Sequence, residues 1–329
     1  SWGNAIWFDD AAEKMGVDVM RWMYSLQNVE QNLLFGYGAA DEVRKKLITL
    51  WNVYSFYATY AAVDGFDPIK NPLKWDVLSV LDQWVIAKTH LLIKNADQSL
   101  DTFRADNFMK KFEVYLEELS NWYIRRNRRR FWKSEDDEDK KSAYATLYHV
   151  LDNVIKIIAP VLPFVSESIY QNLIRNSDRN SLESVHLCDF PISNEEYINI
   201  GLIRNVDALK KSVELGRSAR NNSEVRIRQP LSKALFAMED DKVSKFILDN
   251  QDIVLDELNV KSIERITDSD QLIEYKIKPN LRTLGKKYGK GLSSIKRILE
   301  ESNVDILVKE LKEKNLIVLN NNEYQLERE

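Results

Sequence analysis

The chain has 329 residues, 44% of them apolar, which is enough for two or three domains with cores of their own. Its 47 basic and 51 acidic residues leave a net charge of -4, so the overall balance does not announce a nucleic-acid binder, and any basic surface must be local. A single cysteine, Cys188, excludes an intramolecular disulfide, fits a reducing compartment and is expected to be a small buried hydrophobe.

The three histidines, His90, His149 and His186, lie far apart with no ligand-spaced partner, so no Cys/His zinc site is expected and the metal set is empty. No apolar run reaches the roughly 18 residues of a membrane span, and the start, Ser1-Trp2-Gly3-Asn4, has no signal-peptide pattern. It also lacks an initiator Met, from which we expect the chain to begin inside a longer protein.

Only 10 glycines and 7 prolines punctuate the chain, so long helices are expected. From Asp41 to Asp64, Val43, Leu47, Leu50, Trp51, Tyr54, Tyr57, Ala58 and Ala61 recur every three or four positions, one face of a helix, which Gly65 and the Pro68/Pro72 pair end. The same pattern spans Asp76 to Ser99. A third helix is expected over Asp106–Trp132, a fourth over Asp139–Ala159 before Pro160 and Pro163, and a short one over Phe164–Ile174. Beyond Pro191, a helix is expected over Asn194–Arg220. Strands are expected at Glu224–Arg228, Ala234–Met238, Val260–Ile266 and Leu272–Ile277, with short helices at Lys242–Asn250 and Ile253–Leu258. Two helices, Gly291–Glu300 and Val304–Lys314, and a strand at Leu316–Leu319 complete the pattern. The fold class is mainly α, an antiparallel helical bundle followed by a small α+β domain. The expected divisions are 1–40, 41–191 and 192–329.

Residues 121–133 place five arginines within six positions among aromatics, with no acid between them. At about 100° per residue, Phe112, Tyr115, Leu116, Leu119, Trp122 and Tyr123 share the core face, which Arg126 and Arg130 continue. Arg125, Arg128 and Arg129 fall elsewhere, with Asn121 and Trp132. Arg126 and Arg130, beside Trp122, are therefore expected to be structural, paired with buried carboxylates or carbonyls. Arg125, Arg128, Arg129 and the adjacent Lys133 suit phosphates, Asn121 shares their face, and Trp132 suits an unpaired base. The competing reading is a solvated charged face, offset by the acidic run Glu135–Asp139.

A second basic region, Tyr275–Leu299, holds eight Lys/Arg residues, Lys286, Lys287 and Lys290 among them, and no acid. Its glycines do not have the spacing of a phosphate-cradling loop, so it is expected to be a lysine-rich loop that either touches an RNA backbone or only solubilises the surface. Arg217, Arg220, Arg226, Arg228 and Lys233 form a third, looser set.

Several segments resemble isoleucyl-tRNA synthetases, especially the archaeal and eukaryotic-like branch. Ser1-Trp2-Gly3-Asn4 is similar to the end of the family's Lys-Met-Ser-Lys-Ser loop, with Ser1 as its last serine. Gly16-Val17-Asp18-Val19-Met20-Arg21-Trp22 resembles Gly-Ala-Asp-x-x-Arg-Trp, with Val17 in place of alanine. Leu50–Phe56, Asn121–Trp132, Gly216–Arg220 with Val225–Leu231, Asp256–Val260, and Lys278-Pro279-Asn280 with Leu284–Gly289 follow in the family's order.

The resemblance implies the anticodon-binding part of an enzyme that joins isoleucine to its tRNA with ATP and Mg²⁺. None of the histidines sits in the family's His-x-Gly-His motif, so no catalytic residue is expected here beyond Ser1 as a remnant, no cofactor is expected to bind, and the chain should be inactive alone. The implied partner is isoleucine-specific tRNA, and the protein is expected to be monomeric, cytoplasmic and off the membrane. The anticodon-binding part of a valyl or leucyl enzyme, a free-standing RNA-binding helical protein and a protein-interaction scaffold stay open as alternatives.

Overall fold

The structure, a computed structural model, describes residues 6–28, 30–32, 35–133, 137–266, 277–320 and 324–327. It divides into two compact units, Ser1–Ala208 and Leu209–Glu329. Ser1–Asn4, the first residues of the acidic run and most of the strand expected at Leu272–Ile277 lie outside the described residues.

The first unit opens with two short helices, α1 (Phe8–Met15) and α2 (Val17–Ser25), parted by Gly16 at a left-handed φ of 89°. Neither was expected from the apolar spacing. Helix α3 (Tyr37–Asp64) ends at Gly65, whose φ of 63° lets its N–H close on Ala61 O. Helix α4 (Val80–Asp101) starts later than the pattern suggests because Ser79 and Asp82 form a reciprocal capping box, leaving Trp75–Val77 as a 3₁₀ turn.

The long third helix is α5 (Ala105–Glu118), a π-helical turn (Leu119–Ile124) and α6 (Arg125–Trp132) in one run. The side chain of Asp137 caps α7 (Glu138–Ile158), and Pro163 opens α8 (Pro163–Tyr170) at the position where a missing N–H costs nothing. A second π turn, Gln171–Arg175, extends α8.

Asn194 caps a 3₁₀ turn at Glu195–Tyr197, so the helix expected from Asn194 begins later, as α9 (Ile200–Asn222); the division between the units falls inside it. In the first unit α4 packs on both α5 and α7, and α7 packs in turn on α3, α6 and α8. The core is aromatic: Trp22, Trp84, Phe108, Phe112, Tyr123, Phe131, Tyr144 and Tyr170 are fully buried.

In the second unit the expected strand at Glu224–Arg228 is absent. Glu224 takes a φ of 55° and Val225 N–H donates to Arg220 O, so the segment closes the end of α9 as turns. Strand β1 (Ala234–Ala237) leads through α10 (Asp241–Asp249) and α11 (Gln251–Leu258) to β2 (Ile263–Ile266), which pairs with β1 in parallel, Ala234 opposite Ile263.

The expected lysine-rich loop is instead helical. Asn280 Oδ1 accepts from the N–H groups of Arg282 and Thr283 and starts α12 (Leu281–Tyr288), which runs through a 3₁₀ turn (Gly289–Gly291) into α13 (Leu292–Glu301). Helix α14 (Val304–Lys314) precedes the antiparallel pair β3 (Leu316–Leu319) and β4 (Tyr324–Glu327). Ile295, Leu299, Leu307, Ile317, Leu319, Tyr324 and Leu326 form the core there. Cys188 is half-buried rather than buried, with Sγ 3.4 Å from Tyr170 Oη. No helix among the described residues is long and apolar enough to cross a membrane.

Candidate nucleic-acid interface

The arginine-rich helix has two unlike sides. Trp122, Tyr123 and Ile124 are buried in succession, more of the circumference than one α-helical face covers, and the π turn supplies the wider sweep. Downstream the helix is α-helical again. Asn121, Arg125, Arg128, Arg129 and Trp132 are exposed, whereas Arg126 and Arg130 are half-buried and Asn127 and Phe131 are buried.

Arg130 meets the buried carboxylate of Asp82. Its Nη1 donates to Asp82 Oδ1 at 2.8 Å and to Asn127 Oδ1 at 3.0 Å, and its Nη2 to Ser142 Oγ at 2.8 Å and Asp139 O at 3.0 Å. Nε pairs with Asp139 Oδ1 at 2.8 Å. Tyr123 Oη donates to the same Asp82 Oδ1 at 2.6 Å. Burial opposes the guanidinium charge, but Asp82 more than offsets it and holds Arg130 above the ordinary arginine value. Burial first, then the Asp82 charge, pushes the Tyr123 phenol well above its usual range.

On the other side, Arg125 Nε donates to Asn121 O at 2.9 Å, and its guanidinium lies 5.9 Å from the Trp122 ring centroid. The Arg128 guanidinium has no hydrogen-bond or charge partner among the described residues. Trp132 is 54% exposed and tilts against Tyr60, ring centroids 6.3 Å apart. Lys133, by contrast, is held by Asp137 at 2.7 Å and Asp139 at 2.9 Å. In the second unit, Lys286 and Lys287 are exposed on the last turn of α12, Lys287 Nζ lying 5.4 Å from the Tyr288 ring centroid, and Lys290 is exposed on the 3₁₀ turn.

Sequence reasoning missed one cluster. His90 on α4 and His149 on α7 approach within 3.1 Å, Nε2 to Nε2. Asn194 N–H donates to His90 Nδ1 at 3.1 Å, so that nitrogen is the acceptor and His90 Nε2 carries the proton to His149. The Tyr197 ring packs 4.9 Å from His90 and stacks on Trp75. Burial, with His149 as a second cause, lowers His90 to about 4; burial, then Lys156, lowers His149 to about 4. Among the described residues no three His, Cys, Asp or Glu side chains are grouped to hold a metal ion.

Residues 82–235, which begin at the Asp82 hub and contain the arginine helix, match the family described as the anticodon-binding domain of tRNA ligase. Nearly the whole chain, 99% of it, is 39% identical to an isoleucine–tRNA ligase of Clostridium tetani. The chain is a relative of the isoleucine–tRNA ligases. The Thermus thermophilus isoleucine–tRNA ligase is 36% identical over 91% of the chain. The chain spans 31% and 29% of these two relatives, less than a third of their length. Among solved structures, the ternary complex of Agrobacterium radiobacter K84 agnB2 LeuRS, tRNA and LeuAMS covers 80% of this chain and is covered 30% by it, at 11% identity and a TM-score of 0.46.

The segment Gly16–Trp22 acts as a clamp in this chain. The Asp18 carboxylate accepts from Val165 N–H at 2.7 Å at the start of α8, where the helix leaves N–H groups without backbone partners. Arg21 Nε and Nη2 donate to Val161 O at 2.7 Å and Pro160 O at 2.8 Å. Trp22 is fully buried and donates to Glu113 Oε1 at 3.1 Å. These three residues tie α2 to α5 and to the α7–α8 connection.

Proposed function

We propose that this chain recognises the anticodon stem-loop of an isoleucine-specific tRNA, as the anticodon-binding part of an enzyme that ligates isoleucine to its tRNA in protein synthesis. One observation carries the reading: the arginine helix turns Arg125, Arg128 and Arg129 outward while Asp82 and Asp139 hold Arg130 inward. Guanidinium groups on the outward strip suit phosphates, and Trp132 suits an unstacked loop base. Asn121 lies on the same strip. Lys133 joins it by exchanging Asp137 and Asp139 for phosphate, and Lys286, Lys287 and Lys290 give the second unit a backbone-binding surface of its own. Arg126, Arg130 and Trp122 act as structural residues.

The work of this part is positioning: binding energy gathered far from the chemistry orients the reacting end of the substrate. The parent reaction uses ATP and Mg²⁺, and the residues of this chain do not fit that site. His90 and His149 are committed to each other, His186 Nε2 faces Pro163 O at 3.2 Å, and the chain alone is inactive. The protein acts as a cytoplasmic monomer. The segment 1–40, the bundle 41–191 and the remainder 192–329 are its working divisions.

The test is filter binding of isoleucine tRNA across a salt series, with nuclease footprinting. The wild type binds with affinity that falls steeply with salt. The triple variant Arg125→Ala/Arg128→Ala/Arg129→Ala loses affinity and flattens the salt slope by about one per lost phosphate contact, with its melting temperature kept. Protection confined to the acceptor end would overturn the assignment.

A further inference from the structure

The connection that leads into α9 is fastened to the bundle at the histidine pair. His90 is buried on α4, and the 3₁₀ turn Glu195–Tyr197 comes just ahead of α9. Asn194 N–H reaches His90 Nδ1 at 3.1 Å. The Tyr197 ring packs 4.9 Å from His90 and stacks 4.9 Å from Trp75.

These bonds assign every ring nitrogen of the pair. Because Asn194 donates to Nδ1, a neutral His90 carries its proton on Nε2 and donates it to His149 Nε2 at 3.1 Å. His149 then carries its own proton on Nδ1. Two basic lone pairs remain, on His90 Nδ1 and His149 Nε2, and each already accepts a hydrogen bond. No proton joins the pair without displacing a donor.

The two positions differ in what must move. A proton on His149 Nε2 sets two N–H groups head to head, and relieving that parts α4 from α7, which pack on each other in the core. A proton on His90 Nδ1 leaves the bond to His149 whole. It displaces only the N–H of Asn194, a half-buried residue of a short connection.

The charges around the pair agree. Lys156 of α7 opposes a positive charge on His149, although Asp152 holds its ammonium at 2.8 Å. The turn beside His90 brings carboxylates instead: Glu195, tied to Lys94 of α4 at 2.8 Å, and Glu196. Both are exposed, as is Asp76 next to Trp75. Tyr197, 6.3 Å from His149, is the other titratable group against the rings.

We propose that His90 is an acid-released latch on the start of α9: a proton taken from solvent onto Nδ1 expels Asn194 N–H to water and frees the turn that carries Tyr197, while Nε2 keeps its bond to His149. Burial, with His149 as a second cause, lowers His90 to about 4, so the latch is shut near neutral pH and loosens as pH falls. The RNA-binding reading plays no part in it.

Amide hydrogen exchange of the intact chain, followed residue by residue by NMR, tests this. Below about pH 6.5, the ordinary histidine value, one proton per opening should lower the protection of the Asn194 amide by about tenfold per pH unit, after correction for the intrinsic exchange rate. Amides in the middle of α4 and α7 should exchange far more slowly throughout. In His90→Gln the side-chain oxygen still accepts from Asn194 N–H but takes no proton, so Asn194 protection should not change with pH. Ring nitrogen chemical shifts of the wild type locate the proton without any substitution, and His90 Nδ1 is expected to take it first. Level Asn194 protection in the wild type, or an equal fall in His90→Gln, overturns the proposal. So does a first proton on His149 Nε2.

Discussion

Arg130 Nη1 lies 2.8 Å from Asp82 Oδ1, and Asp82 is also the residue whose other oxygen accepts from Ser79 N–H and Oγ–H at the start of α4. One fully buried carboxylate thus serves as helix cap, as acceptor for Tyr123 and as counterion for the arginine helix. The hub fixes α6 against α4 and α7, and in doing so sets which arginines face outward.

Arg130→Met is therefore expected to destabilise the first unit by about 3–5 kcal/mol, the cost of leaving one member of a buried pair uncompensated. Asp82→Asn in the same chain should recover part of it, because a neutral amide still accepts from Ser79 and needs no counterion. Urea denaturation of the two variants checks this. The salt slope of tRNA binding should stay at the wild-type value wherever the protein is folded. A single Arg130→Met variant as stable as the wild type would show that the pair contributes nothing.

Helix bodies were legible because apolar residues at three- and four-residue spacing must face a core; their ends were not. Ser79, Asn194 and Asn280 each set a boundary through one side-chain cap, and the sequence offers many such polar residues that cap nothing. The π turn at Leu119–Ile124 left no local signal, yet the relative placement of the five arginines could still be read. All five lie downstream of it in one ordinary α-helical stretch, so their spacing kept its meaning. Val225–Arg228 has strand composition, but the left-handed Glu224 and the bond to Arg220 O turn it instead. The His90–His149 contact joins residues on two helices far apart in sequence, and nothing in the spacing pointed to it.

That histidine pair makes stability depend on pH. Both imidazoles are lowered from the usual 6.5 to about 4. The unfolded chain takes up a proton at each ring below about pH 6.5, and the folded chain only near pH 4. Between these values the unfolded state holds more protons, so stability falls as pH drops, by up to about 1.4 kcal/mol per pH unit for each ring. The double variant His90→Gln/His149→Leu should lose this slope, since the glutamine side-chain oxygen can still accept from Asn194 N–H. Denaturation midpoints at pH 7.5, 6 and 5 (roughly the window set by the two shifts) compare the two proteins. Parallel curves for both would mean the rings titrate normally in the fold.

Gly216 sets propensity against packing. Glycine inside α9 costs about 1 kcal/mol against alanine, so on helix propensity alone Gly216→Ala should stabilise. A Cβ at this position, however, would overlap Leu258 Cδ1 and lie 2.8 Å from Cδ2. Leu258 is 2% exposed at the end of α11, followed by Asn259 at a φ of 49°, and Arg220 holds the carbonyls of both residues. Leu258 is therefore backed by an anchored turn and has little room to retreat. Overpacking should win, with Gly216→Ala less stable by about 1–3 kcal/mol. Leu258→Ala alone leaves a cavity and costs about 2–5 kcal/mol. The double variant should cost clearly less than the sum, because the added methyl enters the space that the leucine vacates. Chemical denaturation of the four proteins gives the cycle. A melting temperature raised by Gly216→Ala alone would mean that the helix and Leu258 separate at little cost.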